Sequence, residues 1–336
     1  MLMYQVDAFA DHVFAGNPAA VLILERWLPD PLMQAVAEEN NLAETAFACP
    51  GEAPGHWQLR WFTPVHEVDF CGHATLAAAH VLFSQHRASG PLSFSTRAGP
   101  LRVTRGEDGY RLDLPRFDPQ PLARLPDVLD GVFDRAPKVQ FRNFENIFVE
   151  LEDEAAVCGF IPDHARIARL FPMGLAITAR GSADDFVSRY FAPGAGIPED
   201  PVTGSIHATL VPYWAERLGK ARLAAWQASR RGGRLACTLD GERVLIAGHA
   251  VTFMKAEIDL GDFEGPERRF RGWALAPLCR PSRRHRRSRI RNIRADRAFA
   301  QAKGGTTWHN PKAPPPEPET APRSPRPTRS RRRSRS

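Results

Sequence analysis

Two stretches of this chain repeat one another. Trp61-Phe62-Thr63-Pro64 precedes Asp69-Phe70-Cys71-Gly72-His73-Ala74-Thr75, and Tyr190-Phe191-Ala192-Pro193 precedes Asp200-Pro201-Val202-Thr203-Gly204-Ser205-Ile206. Phe62 maps onto Phe191 at an offset of 129 and Gly72 onto Gly204 at 132, so the second loop is three residues longer. Asp108-Gly109 and Asp240-Gly241 continue the repeat, again 132 apart. A period this long describes two domain-sized units rather than a solenoid. Each copy reads as a strand, a loop and the start of an apolar helix. A helix start leaves backbone N–H groups without partners, and these carry partial positive charge. With a glycine there, the approach is open to a carboxylate or a phosphate. Two such starts facing one cleft would hold a carboxylate-bearing ligand, and clefts between domains favour ligands. His73, in the first turn, is placed to exchange a proton with such an anion.

The chain of 336 residues is long enough for two full cores. No run is apolar enough for a membrane-spanning helix, and the first residues read as a strand rather than a signal peptide. The five cysteines, at positions 49, 71, 158, 237 and 279, are scattered and form no Cys-x-x-Cys pair. That argues against a disulfide scaffold or a zinc ribbon and fits a reducing cytoplasm. The net charge of +7 is unevenly spread. Residues 262–336 hold 21 Lys and Arg against 6 Asp and Glu, which leaves the rest of the chain at −8. Residues 1–260 therefore have no electrostatic reason to bind nucleic acid.

Short strand patterns outnumber helices, with about two helices per unit, which predicts an α+β fold of sheets wrapped around a helix. Asp30-Pro31 predicts a helix N-cap and first position, with a helix running to about Glu39 and ended by Asn40-Asn41. A second outer helix is expected over Asp163–Leu170, and a central one over Gly204–Leu218 in spite of Pro212. The expected units are 1–118 and 138–260, joined by a Pro-rich linker over 119–137. The C-terminal end of the second unit is expected to return to the first. Residues 261–336 have few aliphatics, basic Arg runs and a Pro-rich stretch, and read as disordered. They are either a nucleic-acid- or membrane-surface-binding arm or an extension without a role; the second reading is preferred because no motif needs them.

Four separated motifs occur in order: Gly16-Asn17-Pro18, Glu44-Thr45-Ala46-Phe47, Asp69 to Thr75, and Glu199-Asp200-Pro201-Val202-Thr203-Gly204-Ser205. Together they resemble the PhzF family of phenazine biosynthesis over about residues 1–260. The resemblance implies a diaminopimelate-epimerase-like fold, two similar halves each with a curved antiparallel sheet around a central helix. It implies a homodimeric isomerase that shifts a proton on trans-2,3-dihydro-3-hydroxyanthranilate with no cofactor and no metal. Carried over, it makes Glu44 the general acid/base. His73, Asp200 and Ser205 become the catalytic partners that bind and orient substrate, and Asn17, Gly72 and Gly204 contact it, the glycines through backbone N–H groups. A carboxylate that moves a proton between two carbons must be shielded from water, and Leu42, Ala43, Ala46 and Phe47 give Glu44 apolar neighbours.

An amino-acid epimerase or racemase of the same fold is the alternative. Such enzymes use one Cys per half; here the first position holds Cys71 but the second holds Thr203. A hydroxyl is too weak an acid to replace a thiol, so Cys71 is read as packing beside the site. His66, His80 and His207 are read as structural. A third reading is a nucleic-acid-binding protein acting through the basic tail.

Overall fold

The computed structural model describes residues 1–85, 88–107 and 109–261. Asp108 and the basic tail from Asp262 lie outside the described residues, and so do the expectations of disorder or nucleic-acid binding placed on that tail. The first half contains β1 (Leu2–Ala8), β2 (Asn17–Ile23), α1 (Asp30–Asn40), β3 (Glu44–Pro50), β4 (His56–Phe62), β5 (Glu67–Val68), α2 (Gly72–Ser84), β6 (Leu92–Thr96), β7 (Gly99–Gly106) and β8 (Gly109–Pro115). The second contains β9 (Gln120–Pro121), β10 (Val139–Arg142), β11 (Asn146–Glu150), α3 (Glu154–Cys158), α4 (His164–Ile167), β12 (Gly174–Arg180), β13 (Phe186–Ala192), β14 (Ile197–Asp200), α5 (Gly204–Leu218), β15 (Arg222–Gln227), β16 (Gly233–Asp240), β17 (Arg243–Gly248) and β18 (Ala250–Glu257).

The two halves pair their strands in the same order. In the first, β1–β2 and β3–β4 are antiparallel, β2–β3 and β4–β6 parallel, and β6–β7–β8 antiparallel. In the second, β10–β11 and β12–β13 are antiparallel, β11–β12 and β13–β15 parallel, and β15–β16–β17 antiparallel. The sheets are thus mixed, a correction to the all-antiparallel expectation. A parallel pair needs a crossover, and the helices supply it. α1 and the α3–α4 pair cross on the outside; α2 and α5 cross through the middle.

Composition sorts the helices into these places. α2 is apolar around its whole circumference and buries eleven of thirteen residues, from Gly72 to Phe83. α1 buries only one face, through Met33, Val36 and Ala37. One core gathers α2, α5 and the inner faces of both sheets; two smaller cores lie under α1 and under α3–α4. Pro212 sits buried inside α5.

Three local expectations need correction. Asp30 does not cap α1 but stands in its first turn, where it accepts from Arg60 Nη1 at 2.9 Å; Asn41 ends the helix in the left-handed conformation. The helix expected over 163–170 is one turn, α4, capped by Asp163 and followed by a 3-10 turn. The stretch 119–137 carries β9, paired with β10, and buries Leu129 and Val132 in the outer core of the second half.

The halves are joined by two antiparallel seams. β8 pairs with β17, and β18 returns to pair with β1 along its whole length. Both seams hold the starts of α2 and α5 against each other.

Candidate active site

Gly72 and Gly204 meet where the two central helices begin. A Cβ on Gly72 would lie 3.3 Å from Gly204 Cα, and one on Gly204 would lie 3.4 Å from Gly72 Cα and 3.1 Å from Ile246 Cδ1. The missing side chains therefore permit backbone-to-backbone contact of the helix starts. Neither helix has an acidic residue in its first turn or a side-chain N-cap. Two positive helix ends placed together repel each other unless negative charge is nearby. Glu44 and Asp200 are the carboxyl groups beside Cys71 and His73 that can offset it.

The N-cap carbonyls are held in the same way in both halves. Thr75 Oγ1 donates to Cys71 O at 2.5 Å, and His207 Nδ1 donates to Thr203 O at 2.8 Å. Burial pushes His207 down to about 4, so it stays neutral in this structural role. His80, also held down at about 4 chiefly by burial, bridges the Tyr110 and Thr252 hydroxyls at 3.0 and 2.8 Å. His66 is an exposed turn residue whose backbone carbonyl accepts from Thr63. All three are structural, as expected.

Four of the expected site residues come together from distant elements. Glu44, at the start of β3, is 7% exposed; His73 is 4% and Asp200 7%. His73 Nε2 stands 3.1 Å from Glu44 Oε2, not aligned for a full hydrogen bond, and both atoms are buried with no other partner. Asn17 Nδ2 lies 2.7 Å from Asp200 Oδ1, 2.9 Å from Val202 O and 3.1 Å from His73 Nδ1. An amide nitrogen has two hydrogens, and the two shorter contacts take both. The remaining partner for His73 Nδ1 is the Cys71 sulfur at 3.5 Å. Asn17 thus ties the first-half turn that carries it to the second-half loop of Asp200 and Val202, while its own Oδ1 stays buried and unpaired.

The charges follow from this geometry. Burial disfavours the imidazolium of His73, but Cys71 and Glu44 act the other way and the net direction is well above the ordinary value. Burial holds the Cys71 thiol up at about 11, so the sulfur is neutral near pH 7 and Glu44 is what keeps the proton on His73. Asp200 is raised from 3.8 to about 6, first by burial and further by Glu44, against the pull of His73, Thr203 and Asn17.

Ser205 is the second residue of α5 and only half-buried; among the described residues its hydroxyl has no hydrogen-bond partner. Glu44, Cys71 and His73 place ligand atoms within 4.8 Å of one another, a donor set for a divalent cation that only the tertiary structure reveals. A cavity of about 360 Å³ lies at the other end of α5 beside Arg116, Glu216 and Lys220. Glu44, His73 and Asp200 are themselves buried.

Three residues support the site. Cys71, read from the sequence as packing beside it, contacts the His73 imidazole; the other two carried no reading. Gln227 accepts from Thr203 N at 2.7 Å and donates to Asp200 O at 2.8 Å, clamping the loop that carries Asp200. Arg231 binds buried Asp7 at 2.8 Å and the carbonyls of Ala15 and Gly16, which fixes the turn before Asn17. Gln227 and Arg231 belong to no motif, and their partners are remote in sequence, so no local signal marks them.

Two similar halves with facing helix starts and an enclosed acid–base cluster define a protein of the diaminopimelate-epimerase-like fold. A proline racemase of Agrobacterium radiobacter shares it with a TM-score of 0.51 at 12% identity, over 78% of this chain and 94% of its own. The chain belongs to the phenazine biosynthesis-like (PhzC-PhzF) family, whose model matches residues 6–256. It is similar to two uncharacterized isomerases of Pseudomonas aeruginosa. One is 50% identical over 259 residues, covering 76% of this chain and 98% of the relative. The other is 47% identical over 261 residues, covering 77% and 99%. A PhzF-family crystal structure from Enterococcus faecalis matches with a TM-score of 0.73 and 45% identity, over 77% of this chain and 98% of its own. Among the described residues no helix is long and apolar enough to cross a membrane.

Proposed function

We propose that this protein is a cofactor-independent isomerase that moves a proton on a small carboxylate-bearing metabolite, of the kind trans-2,3-dihydro-3-hydroxyanthranilate represents. The observation that carries this reading is the Glu44–His73 pair: a buried carboxylate and imidazole 3.1 Å apart, each with an unpartnered atom, beside two helix starts that need an anion. In this reading the substrate carboxylate takes the backbone N–H groups at Gly72 and Gly204 and the free Ser205 hydroxyl. Glu44 removes the proton from one carbon and returns it to another. The charge on His73 stabilises the anion formed during the transfer. Asp200, held by Asn17 and Thr203, orients a donor on the substrate.

Glu44→Gln keeps the shape and removes the base. Solvent deuterium exchange into a panel of cyclic and amino-acid carboxylates should fall by about two to four orders of magnitude, with the melting curve unchanged. Near-normal exchange in that variant would sink the assignment.

One observation favours a second reading, amino-acid epimerisation: the Cys71 sulfur touches the His73 ring, as a thiol base would. Against it stand the neutral thiol and Thr203 at the position matching Cys71 in the other half. Cys71→Ser separates the two. A loss as deep as that of Glu44→Gln supports epimerisation, and a mild loss supports the isomerase.

A further inference from the structure

The matching strand pairings give each site residue a counterpart in the other half. Thr45 faces Phe62 across β3–β4, and Leu175 faces Phe191 across β12–β13. Phe62 and Phe191 are counterparts, so the residue before Leu175, Gly174, is the counterpart of Glu44. By the same count Ser205 answers to His73, and Tyr190 to Trp61. The second half has therefore given up both the carboxylate and the imidazole.

The vacated place is filled from the next strand. A Cβ on Gly174 would lie 2.2 Å from Tyr190 Oη, so the phenol oxygen stands where a side chain at that position would begin. Tyr190 Oη donates to Asn146 Oδ1 at 2.9 Å. Its proton is thereby committed, and its lone pairs remain to accept. Tyr190 lies directly opposite Asp200 in the β13–β14 pair, so both side chains leave the same face of the sheet. Asp200 points into the site, and Tyr190 follows it. Burial first, then the charges of Asp200 and Glu145, hold the phenol well above its ordinary value, which places both carboxyl groups close to it. Glu145 accepts the Gly174 N–H on its backbone carbonyl at 3.2 Å, and burial pushes its side chain up to about 7. Among the described residues it has no ion-pair partner.

We propose that Tyr190 is a specificity-determining residue, a deepening that rests on the isomerase reading above. Its oxygen takes the place in the second half that corresponds to Glu44 in the first and, on the Asp200 face, selects substrates that carry a hydroxyl or amino donor. Glu145 stands behind it and keeps that wall acidic.

Binding can be measured apart from turnover. In full-length protein carrying Glu44→Gln, calorimetry would compare anthranilate and 3-hydroxybenzoate, which bear a donor, with benzoate, which does not. The donor-bearing probe of better fit should bind about threefold to tenfold more tightly than benzoate, the worth of one hydrogen bond. Adding Tyr190→Phe should abolish that preference and leave benzoate binding unchanged. Gly174→Ala, whose Cβ displaces the phenol, should act in the same direction. A preference that survives Tyr190→Phe in a protein with unchanged melting overturns the proposal, and so does the absence of any preference in the parent. If the preference follows Tyr190 but Glu44→Gln protein still exchanges deuterium, the proton-transfer reading fails while the specificity role stands.

Discussion

Replacing Asp200 by Asn should make the protein more stable at neutral pH while it loses activity. Asp200 is 7% exposed, and its carboxyl is raised from 3.8 to about 6, chiefly by burial. Below pH 3.8 the group is protonated in both folded and unfolded chains and costs nothing. As the pH rises from there to about 6, the unfolded chain gives up the proton first, and folding stability is lost. Above pH 6 the loss is complete. At about 1.4 kcal/mol per pH unit it amounts to about 3 kcal/mol. Asparagine carries no charge to desolvate. Its oxygen can still accept from Asn17, and its nitrogen can donate to Thr203 Oγ1, so the geometry is kept. Urea unfolding of both full-length proteins at pH 4, 5, 6 and 7 reads the difference directly. It should be near zero at pH 4 and grow to about 3 kcal/mol in favour of Asn at pH 7. A variant less stable than the parent at pH 7, or a difference that does not change with pH, would refute the assignment of Asp200 as a strained, buried carboxylate.

Three further outcomes follow from the geometry. Gly72→Ala sets a Cβ 3.3 Å from the Gly204 backbone and should cost about 1–3 kcal/mol of stability, read by thermal melting; an unchanged midpoint would mean that the helix starts can separate freely. Arg231→Ala removes the cation from Asp7, which is 2% exposed, and should cost about 3 kcal/mol and slow exchange by loosening the Asn17 turn; a variant as stable and as active as the parent would show that this ion pair contributes nothing. A chain ended after Leu260 should keep full exchange activity and melting temperature and should bind no nucleic acid at physiological salt, since every site residue precedes that point; a filter-binding titration and a melting curve check both.

The legible part of the molecule was its repetition. The offsets 129 and 132 stand for real counterparts: the two halves pair their strands identically, and Gly72 touches Gly204. Glu44, His73 and Asp200 were readable because motif residues sit at element boundaries, the first two at the starts of β3 and α2 and Asp200 at the end of β14. α1 was misjudged at its start because Asp30 has a competing partner in Arg60, thirty positions away. The parallel strand pairs were missed because alternation along one strand says nothing about the direction of its neighbour.

Sequence by itself determined that there are two like units, that each has one mostly apolar helix to bury, and that an acid, an imidazole and two glycine helix starts accompany them. These are local matters of periodicity, capping and composition, and the chain carries them wherever it goes. Only the tertiary structure decided which groups share protons. Cys71 became the neighbour of His73 because Asn17 spends both amide hydrogens on Asp200 and Val202. Gly174 became a seat for the Tyr190 phenol because a strand partner, not a sequence neighbour, reaches into its empty side. Gln227 and Arg231 hold the site loops from positions that the chain brings near only when both halves have closed. Such roles depend on distances of about 3 Å between residues up to 224 apart in sequence, and no pattern along the chain encodes them until the cores have packed.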